Sequence, residues 1–354
     1  MLAQLIDRIG QRCGLWRLAF ALERLRFPSE PMLVVFTYHR VVDHDKGKVG
    51  FLGYDWGLDY RLFADHLDAI GRYFDVVDLP AFIDILDGKK TIERRTALIT
   101  FDDADSDFAD YALPALRRHN FPAVVFVPTA YVDTERRFWH LRITNVVTKL
   151  DTPALERMKA DPGAVPDDVR TLIARASVAT YEERRALGRA LCRLLDDQPQ
   201  EMIDRAVAQL ERHVDQTYAI GVGCMSWETM RSLQTSRIDF QSHTVNHRKL
   251  ALLKADEIRD ELIGSRQDLE KHLNATVTAI CYPAGSFSEK VLDIAPSCGY
   301  SVGFTTQLGV PTYPLAGPAR YALPRLTING DNRPEVFSYV GKLALKRLIR
   351  GRVD

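Results

Sequence analysis

The chain has 354 residues, of which 46% are hydrophobic and 27% are charged. These fractions are typical of globular proteins and exclude disordered and collagen-like chains. Lysine plus arginine and aspartate plus glutamate both number 47, so the formal net charge is zero. Because proteins that coat nucleic acid carry a basic excess, no nucleic-acid partner is expected. The five cysteines have no CxxC spacing, which argues against a disulfide framework and favours a reducing compartment.

Residues 1–27 show the pattern of an amphipathic helix that is separate from the domain at 28–354. Apolar residues follow helical spacing from Leu2 to Phe20, with basic residues between them. Such a helix suits a membrane surface or packing against the rest of the chain, and both interpretations stay open. The early charges Asp7 and Arg8 do not fit a signal peptide. We therefore expect a cytoplasmic protein, which would contact the inner membrane peripherally if this helix lies on a membrane surface.

From residue 31 onward, short apolar runs alternate with amphipathic helical stretches, which predicts parallel strands joined by crossover helices. An open doubly wound sheet and a closed α/β barrel both fit this pattern. The stretch from about 134 to 223 reads as helical and is interpreted as an insertion between two strands. The predicted strands are Met32–Tyr38, Val76–Leu79, Thr96–Phe101, Ala123–Pro128, Ile238–Gln241, Val277–Cys281 and Ser301–Phe304.

Polar residues with catalytic potential follow directly after four of these apolar runs. They are His39, the pair Asp102-Asp103, His243 and the segment starting at Tyr282. In a parallel α/β fold the carboxyl ends of the strands lie on one face, where ligands bind. The sequence therefore predicts one site that contains all four endings.

Two of these endings supply the residue types of a metal site. Adjacent carboxylates on extended backbone point to opposite sides, so Asp102 and Asp103 are expected to have different tasks. His243 and His247 are four residues apart, a spacing that brings both imidazoles to one side of a helical turn. Two histidines and one aspartate leave open positions for water, as catalytic zinc sites do. The same set also forms the facial triad of non-haem Fe(II) oxygenases, which is kept as an alternative.

Three motifs carry a resemblance to a known family. Thr100-Phe101-Asp102-Asp103, Ser242-His243-Thr244-Val245-Asn246-His247 and Tyr282-Pro283-Ala284-Gly285 resemble the motifs of the polysaccharide deacetylases, a group of carbohydrate esterases. The resemblance implies a distorted (β/α) barrel with seven strands and hydrolysis of acetyl groups from N-acetylated sugars. It further implies Asp102 as general base, with Asp103, His243 and His247 as ligands of a divalent metal. The metal expected is Zn²⁺, with Co²⁺ or Ni²⁺ as alternatives, and the Tyr282 N–H is expected to donate to the oxyanion.

The chain departs from the commonest family pattern in two places. Cys281-Tyr282-Pro283 stands where the family usually has Arg-Pro-Pro, so the arginine that tunes the base is missing there. Arg325, in Leu323-Pro324-Arg325-Leu326, is the proposed substitute from another strand. The late histidine motif for the general acid is also missing. His39 takes that role by resemblance to the early histidine motif of exopolysaccharide and biofilm-polysaccharide deacetylases, whose strand order is permuted.

These observations predict a metal-dependent N-deacetylase. The expected substrate is an acetylated amino sugar of a bacterial polysaccharide or a glycolipid precursor. A catalytically inactive barrel that only binds glycans is the remaining alternative besides the oxygenase. Intact Asp102, Asp103, His243 and His247 argue against it.

Overall fold

The computed structural model describes residues 31–46, 57–163, 165–196, 198–214 and 223–328, together with the isolated positions 18 and 22. Most of the amphipathic segment 1–27 therefore lies outside the described residues, and its membrane contact stays a prediction. No helix within the described ranges is both long and apolar enough to span a membrane.

The described chain contains ten strands and eleven α-helices, numbered here in chain order. The strands are β1 (Leu33–Tyr38), β2 (Val41–Val42), β3 (Leu58–Asp59), β4 (Asp75–Val76), β5 (Thr96–Phe101), β6 (Ala123–Val127), β7 (Ile238–Ser242), β8 (Ala279–Cys281), β9 (Val302–Leu308) and β10 (Leu323–Thr327). The helices are α1 (Tyr60–Tyr73), α2 (Leu79–Leu86), α3 (Leu113–His119), α4 (Trp139–Lys149), α5 (Thr152–Ala160), α6 (Asp167–Ala174), α7 (Tyr181–Asp196), α8 (Gln200–Glu211), α9 (Trp227–Leu233), α10 (Ala255–Leu273) and α11 (Glu289–Ser297).

Seven parallel strands close into a barrel. Their order is β1-β5-β6-β7-β8-β9-β10, and β10 pairs again with β1 through Phe36 and Leu326. This confirms the seven-stranded α/β barrel that the family resemblance implies and excludes the open sheet. Both faces of β1 and β5 are buried, which explains why these strands read as continuous apolar runs rather than as alternating patterns.

The predicted strand Val76–Leu79 is wrong as a barrel strand. Only Asp75–Val76 is extended, and it pairs with the start of β5 outside the closed ring. The chain then turns into α2, because the Asp78 side chain accepts the Ala81 N–H at 3.0 Å and caps the helix. Phe82 of α2 lies in the same apolar cluster as the barrel residues Phe126 and Phe304.

The seventh barrel strand, β10, was not among the predicted strands. Pro324 lies inside it, and proline weakens a strand signal because it has no N–H for the ladder. The pairing with β9 shifts register between Leu323 and Arg325, on either side of this proline. β9 itself continues to Leu308, four residues beyond its predicted end.

The chain divides into two units by its contacts. One contains the barrel, and the other comprises Asp43–Gly57 and Ala130–Cys224, compared with the predicted insertion at about 134–223. Helices α4 to α8 lie in this second unit and bury an apolar core of their own, which includes Val146, Leu191 and Val207. Arg142 and Glu211 form a two-fold ion pair there, with N–O distances of 2.9 and 2.6 Å.

A glycine in β9 gives a test of barrel packing. A Cβ atom at Gly303 would lie 2.5 Å from the Tyr282 hydroxyl and 2.5 Å from the Tyr321 carbonyl oxygen. Overpacking of this kind costs about 1–3 kcal/mol. We expect Gly303→Ala to lower the free energy of unfolding by that amount in urea titrations. Gly223→Ala is the control, because its Cβ would approach only the Arg137 side chain, at 3.5 Å; equal stability of both variants would contradict this packing.

Candidate active site

Side chains from five barrel strands meet at the carboxyl end of the barrel. His39 follows β1, Asp102 and Asp103 follow β5, and His243 follows β7, while Cys281 ends β8 and Arg325 lies within β10. The structure thus brings together the four strand endings singled out in the sequence. Arg325, the substitute expected from the sequence, and Cys281 contact Asp102 directly.

Asp102 and Arg325 form a buried, bidentate ion pair. The two guanidinium nitrogens donate to the two carboxylate oxygens at 2.8 and 2.7 Å. The Asp102 side chain is 3% exposed and that of Arg325 is fully buried. Burial alone raises the pKa of Asp102, but the charge and hydrogen bonds of Arg325 outweigh it and lower that pKa to about 2. Asp102 is therefore ionised at neutral pH.

Three further contacts fix the Arg325 guanidinium. Its Nε donates to the Thr305 carbonyl at 2.8 Å, and Nη1 lies 3.3 Å from the Thr100 hydroxyl. Nη2 lies 3.0 Å from the Cys281 sulfur. The Arg325 guanidinium from β10 thus lies beside Asp102, the predicted base, where the sequence predicts a substitute for the arginine that is missing at position 281. Burial raises the pKa of the Cys281 thiol well above its usual value, which disfavours a thiolate nucleophile.

Asp103 faces away from this pair and towards two imidazoles. Its Oδ1 lies 3.3 Å from His247 Nε2 and 3.5 Å from His243 Nε2. Asp103 has φ 74°, so the left-handed backbone, and not the alternation of an extended strand as predicted, separates the two carboxylates. Burial raises the pKa of Asp103, whereas its contact with His247 and the nearby histidine charges lower it, with a net decrease.

The His243–His247 segment is a loop, not the helical turn expected from the spacing. Thr244 and His247 have φ values of 67° and 56°, which are uncommon for residues other than glycine, and especially so for β-branched threonine. Each such residue costs about 1–3 kcal/mol and persists only where surrounding contacts hold it. The loop nonetheless brings the two imidazole centroids to 4.8 Å.

The donor set fits a divalent cation. His243 Nδ1 lies 2.7 Å from the Cys281 carbonyl, and since a carbonyl oxygen only accepts, Nδ1 carries the proton. Burial lowers the pKa of His243 to about 4, so the ring is neutral and its Nε2 lone pair faces Asp103 Oδ1. That oxygen is buried and has no hydrogen-bond donor among the described residues. The lone pairs of His243 Nε2 and Asp103 Oδ1 face each other at 3.5 Å, which suits a cation between the two atoms. The bond from Nδ1 to the Cys281 carbonyl fixes the tautomer of the ring, as such bonds do in metal sites.

His39 lies on the other side of Asp102. Its Nε2 is 3.9 Å from Asp102 Oδ2, and its side chain is 19% exposed. The imidazole is therefore next to the predicted base and accessible from the mouth of the site. A partly exposed histidine is suited to proton transfer.

The expectation for Tyr282 is wrong in this conformation. Its backbone N–H donates to the Phe304 carbonyl at 3.1 Å as part of the β8–β9 ladder, so this donor is already used. Pro283 has no N–H, and the amides of Gly285 and Ser286 donate back to residues 282 and 283. The remaining residue of this turn is Ala284, which has an amide, is exposed and has φ 52°.

Sequence reasoning missed one residue that contacts the loop of His243 and His247. Glu261 of α10 is 3% exposed, and its carboxylate accepts the Val245 and Asn246 amides. A signal existed, because Glu261 shares a helical face with the buried Ile258 and Leu262. Acidic side chains rarely occupy an apolar face unless they are paired.

Comparisons with known proteins agree with this geometry. A family model described as polysaccharide deacetylase matches residues 89–173 and 192–303, which is more than half of the chain. The chain belongs to the polysaccharide deacetylase family. YxkH of Bacillus subtilis (strain 168), named for the same family, is 28% identical over 102 residues, which are 29% of this chain and 36% of that protein. The match to this relative therefore spans about a third of its length.

Two solved structures share the fold of this deacetylase family member. IcaB from Ammonifex degensii superposes with a TM-score of 0.57 at 17% identity, covering 88% of this chain and 98% of that chain. The Streptococcus pyogenes deacetylase PplD in complex with acetate gives a TM-score of 0.53 at 18% identity, covering 85% and 93%. At these identities the likeness is evidence for the barrel fold.

The ion pair predicts how stability depends on pH. A depressed carboxyl pKa stabilises the fold above the unfolded pKa, and that contribution is lost as pH falls towards the folded pKa. Arg325→Gln leaves Asp102 buried without its counter-charge, so we expect a loss of about 3–5 kcal/mol at neutral pH. The difference in unfolding free energy between wild type and Arg325→Gln should shrink as pH falls from about 5 towards 2, because Asp102 then becomes neutral. Urea unfolding at several pH values measures it.

Arg94→Gln is the matched control for this experiment. Arg94 pairs with Asp75 at 2.9 Å, but their side chains are 67% and 50% exposed. Such surface pairs contribute about 0–1 kcal/mol. A deficit in Arg325→Gln that is as small as in Arg94→Gln, or that does not depend on pH, would contradict the role of Arg325 as counter-charge of Asp102.

Proposed function

We propose that this protein is a metal-dependent N-deacetylase of an acetylated amino sugar in a bacterial polysaccharide or glycolipid precursor. The observation that carries the proposal is the contrast between two adjacent carboxylates. Asp102 is neutralised by Arg325, whereas Asp103 faces two histidine nitrogens at 3.3 and 3.5 Å. Neighbouring titratable groups with such different surroundings are typical of divided acid–base and ligand roles.

In this proposal Asp103, His243 and His247 hold the cation. When bound, a divalent cation there lowers the pKa of a water molecule and polarises the amide carbonyl. Asp102 would accept a proton from the attacking water as the water oxygen adds to the acetyl carbon. His39 then donates a proton to the sugar nitrogen as the C–N bond breaks, so that acetate and a free amine leave.

The oxyanion that forms on the acetyl group also needs a donor. With the Tyr282 amide bound to Phe304, we propose the Ala284 N–H for this task. Its position in the turn after β8 places it on the rim that carries His243 and Asp102. A backbone amide suits the task because it is fixed before the reaction begins.

The donor set and the family indicate the metal and the substrate class. Two imidazoles and one carboxylate are ligands that zinc accepts in catalytic sites, so Zn²⁺ is proposed, with Co²⁺ or Ni²⁺ as alternatives. Membership of the polysaccharide deacetylase family supports a glycan substrate. A non-haem Fe(II) oxygenase uses a similar triad, but the ionised Asp102 beside it and the family assignment favour hydrolysis.

The metal-ligand roles predict a separation of two effects. Asp103→Ala, His243→Ala and His247→Ala should each lose both bound zinc and activity, because three protein ligands leave little redundancy. Asp102→Asn should retain zinc and lose turnover. Elemental analysis of purified variants, alongside acetate release, distinguishes the two groups. Zinc retained by all three ligand variants would refute the assigned site.

The acid role of His39 predicts dependence on the leaving group. An amine leaves only when it is protonated, and such proton transfer contributes about 10²–10⁴-fold in rate. His39→Ala should lower kcat on an N-acetylated sugar by that factor. An aryl acetate ester, whose leaving group needs no proton, should be affected much less.

Zinc content is the control for this variant. His39→Ala should bind as much zinc as the wild type, because His39 is not in the predicted ligand set. If the substitution slows amide and ester equally, or removes zinc, the acid role fails and His39 is structural or a ligand.

A further inference from the structure

Glu261 lies outside the predicted catalytic set, yet its carboxylate contacts the loop that carries two of the proposed metal ligands. It belongs to α10, and its side chain is buried. Both carboxylate oxygens face the segment between His243 and His247.

Three hydrogen bonds join Glu261 to the loop. The Val245 and Asn246 amides donate to the same oxygen, Oε2, at 2.9 and 2.8 Å. The Asn246 side-chain amide donates to Oε1 at 3.0 Å. Successive amides that converge on one anion form a nest, and hydrogen bonds to an ionised acceptor are among the stronger ones in proteins.

The backbone of the loop explains why an anion is needed. Thr244 and His247, which flank the two bonded amides, have the left-handed φ values of 67° and 56°. This conformation turns consecutive N–H groups in one direction, where they need a common acceptor. Glu261 supplies it and thereby holds the strained segment in the shape that directs His243 and His247 towards Asp103.

The rest of α10 anchors this acceptor to the barrel. One turn further along the same face, Ser265 pairs with Ser242 at 2.8 Å, and Asp268 accepts the Thr129 hydroxyl at 2.8 Å. Thr129 in turn donates its N–H to the Thr244 carbonyl at 3.1 Å. The helix therefore fixes Glu261 relative to the strand ends on either side of the loop.

We infer that Glu261 is a positioning residue of the metal centre, which fixes the loop of His243 and His247 in its metal-binding geometry. This inference rests on the proposed metal-dependent function. It predicts that removing the charge of Glu261 weakens metal binding although no metal ligand is changed. Outer residues that orient ligands typically account for 10–100-fold in metal affinity.

The test compares Glu261→Gln with Asp260→Asn in the full chain. Asp260 is the exposed neighbour on the same helix, so its variant removes the same charge without touching the loop. Zinc dissociation constants are measured by competition with a chromophoric chelator. We expect the zinc Kd to rise about 10–100-fold in Glu261→Gln. In Asp260→Asn it should stay within about two-fold of the wild-type value, well below that range.

A second measurement separates positioning from general folding and does not use metal. Hydrogen exchange of the metal-free protein should accelerate at the Val245 and Asn246 amides in Glu261→Gln, while exchange in β5 and β6 stays unchanged. Wild-type zinc affinity in Glu261→Gln would overturn the inference and leave the proposed function intact. Failure of the wild type to bind zinc would overturn both.

Discussion

The buried ion pair between Arg325 and Asp102 is the interaction on which the organisation of the site depends. It joins the last barrel strand to the loop after β5, and β1 lies between these two strands in the ring. Burying two charges costs several kcal/mol per ion, which good geometry and further hydrogen bonds must offset. The bidentate contact and the bonds to Thr305 and Thr100 provide both. The pair is therefore stabilised by residues of β5 and β9 as well as by its own bidentate contact.

This neutralisation gives two neighbouring carboxylates different chemistry. Asp102 keeps its charge because a guanidinium balances it, and its basicity is correspondingly low. Asp103 has a left-handed backbone and faces neutral His243, so its charge is available to a cation. In the proposed mechanism Asp102, a carboxylate of low basicity, would accept a proton from a water acidified by a cation at Asp103, so the two proposed roles depend on each other.

The sequence predicted what depends on local pattern and missed what depends on distant contacts. Apolar runs located β1, β5 and β6. β10 was missed because it contains Pro324, which has a low strand propensity. The position of β10 in the ladder follows from the closure of the ring. The loop after His243 is bonded to the distant Glu261 through the Val245 and Asn246 amides, and no spacing rule contains that information. Likewise, the sequence pattern that predicts the Tyr282 amide as oxyanion donor does not show that this amide donates to the Phe304 carbonyl of β9.

Arg325 and Cys281 show why sequence motifs should be compared by the positions of their residues in the structure and not only along the chain. Cys281 occupies the sequence position of the usual arginine, and by sequence alone its presence suggests a base without its counter-charge. In the structure the Cys281 sulfur lies 3.0 Å from the guanidinium of Arg325. The positive charge of Arg325, which belongs to β10, therefore lies next to residue 281. The carboxylate responds to where the positive charge lies and not to which strand carries it, because the interaction depends on distance and surroundings. A cysteine at position 281 is therefore compatible with the base role proposed for Asp102, because Arg325 supplies the positive charge.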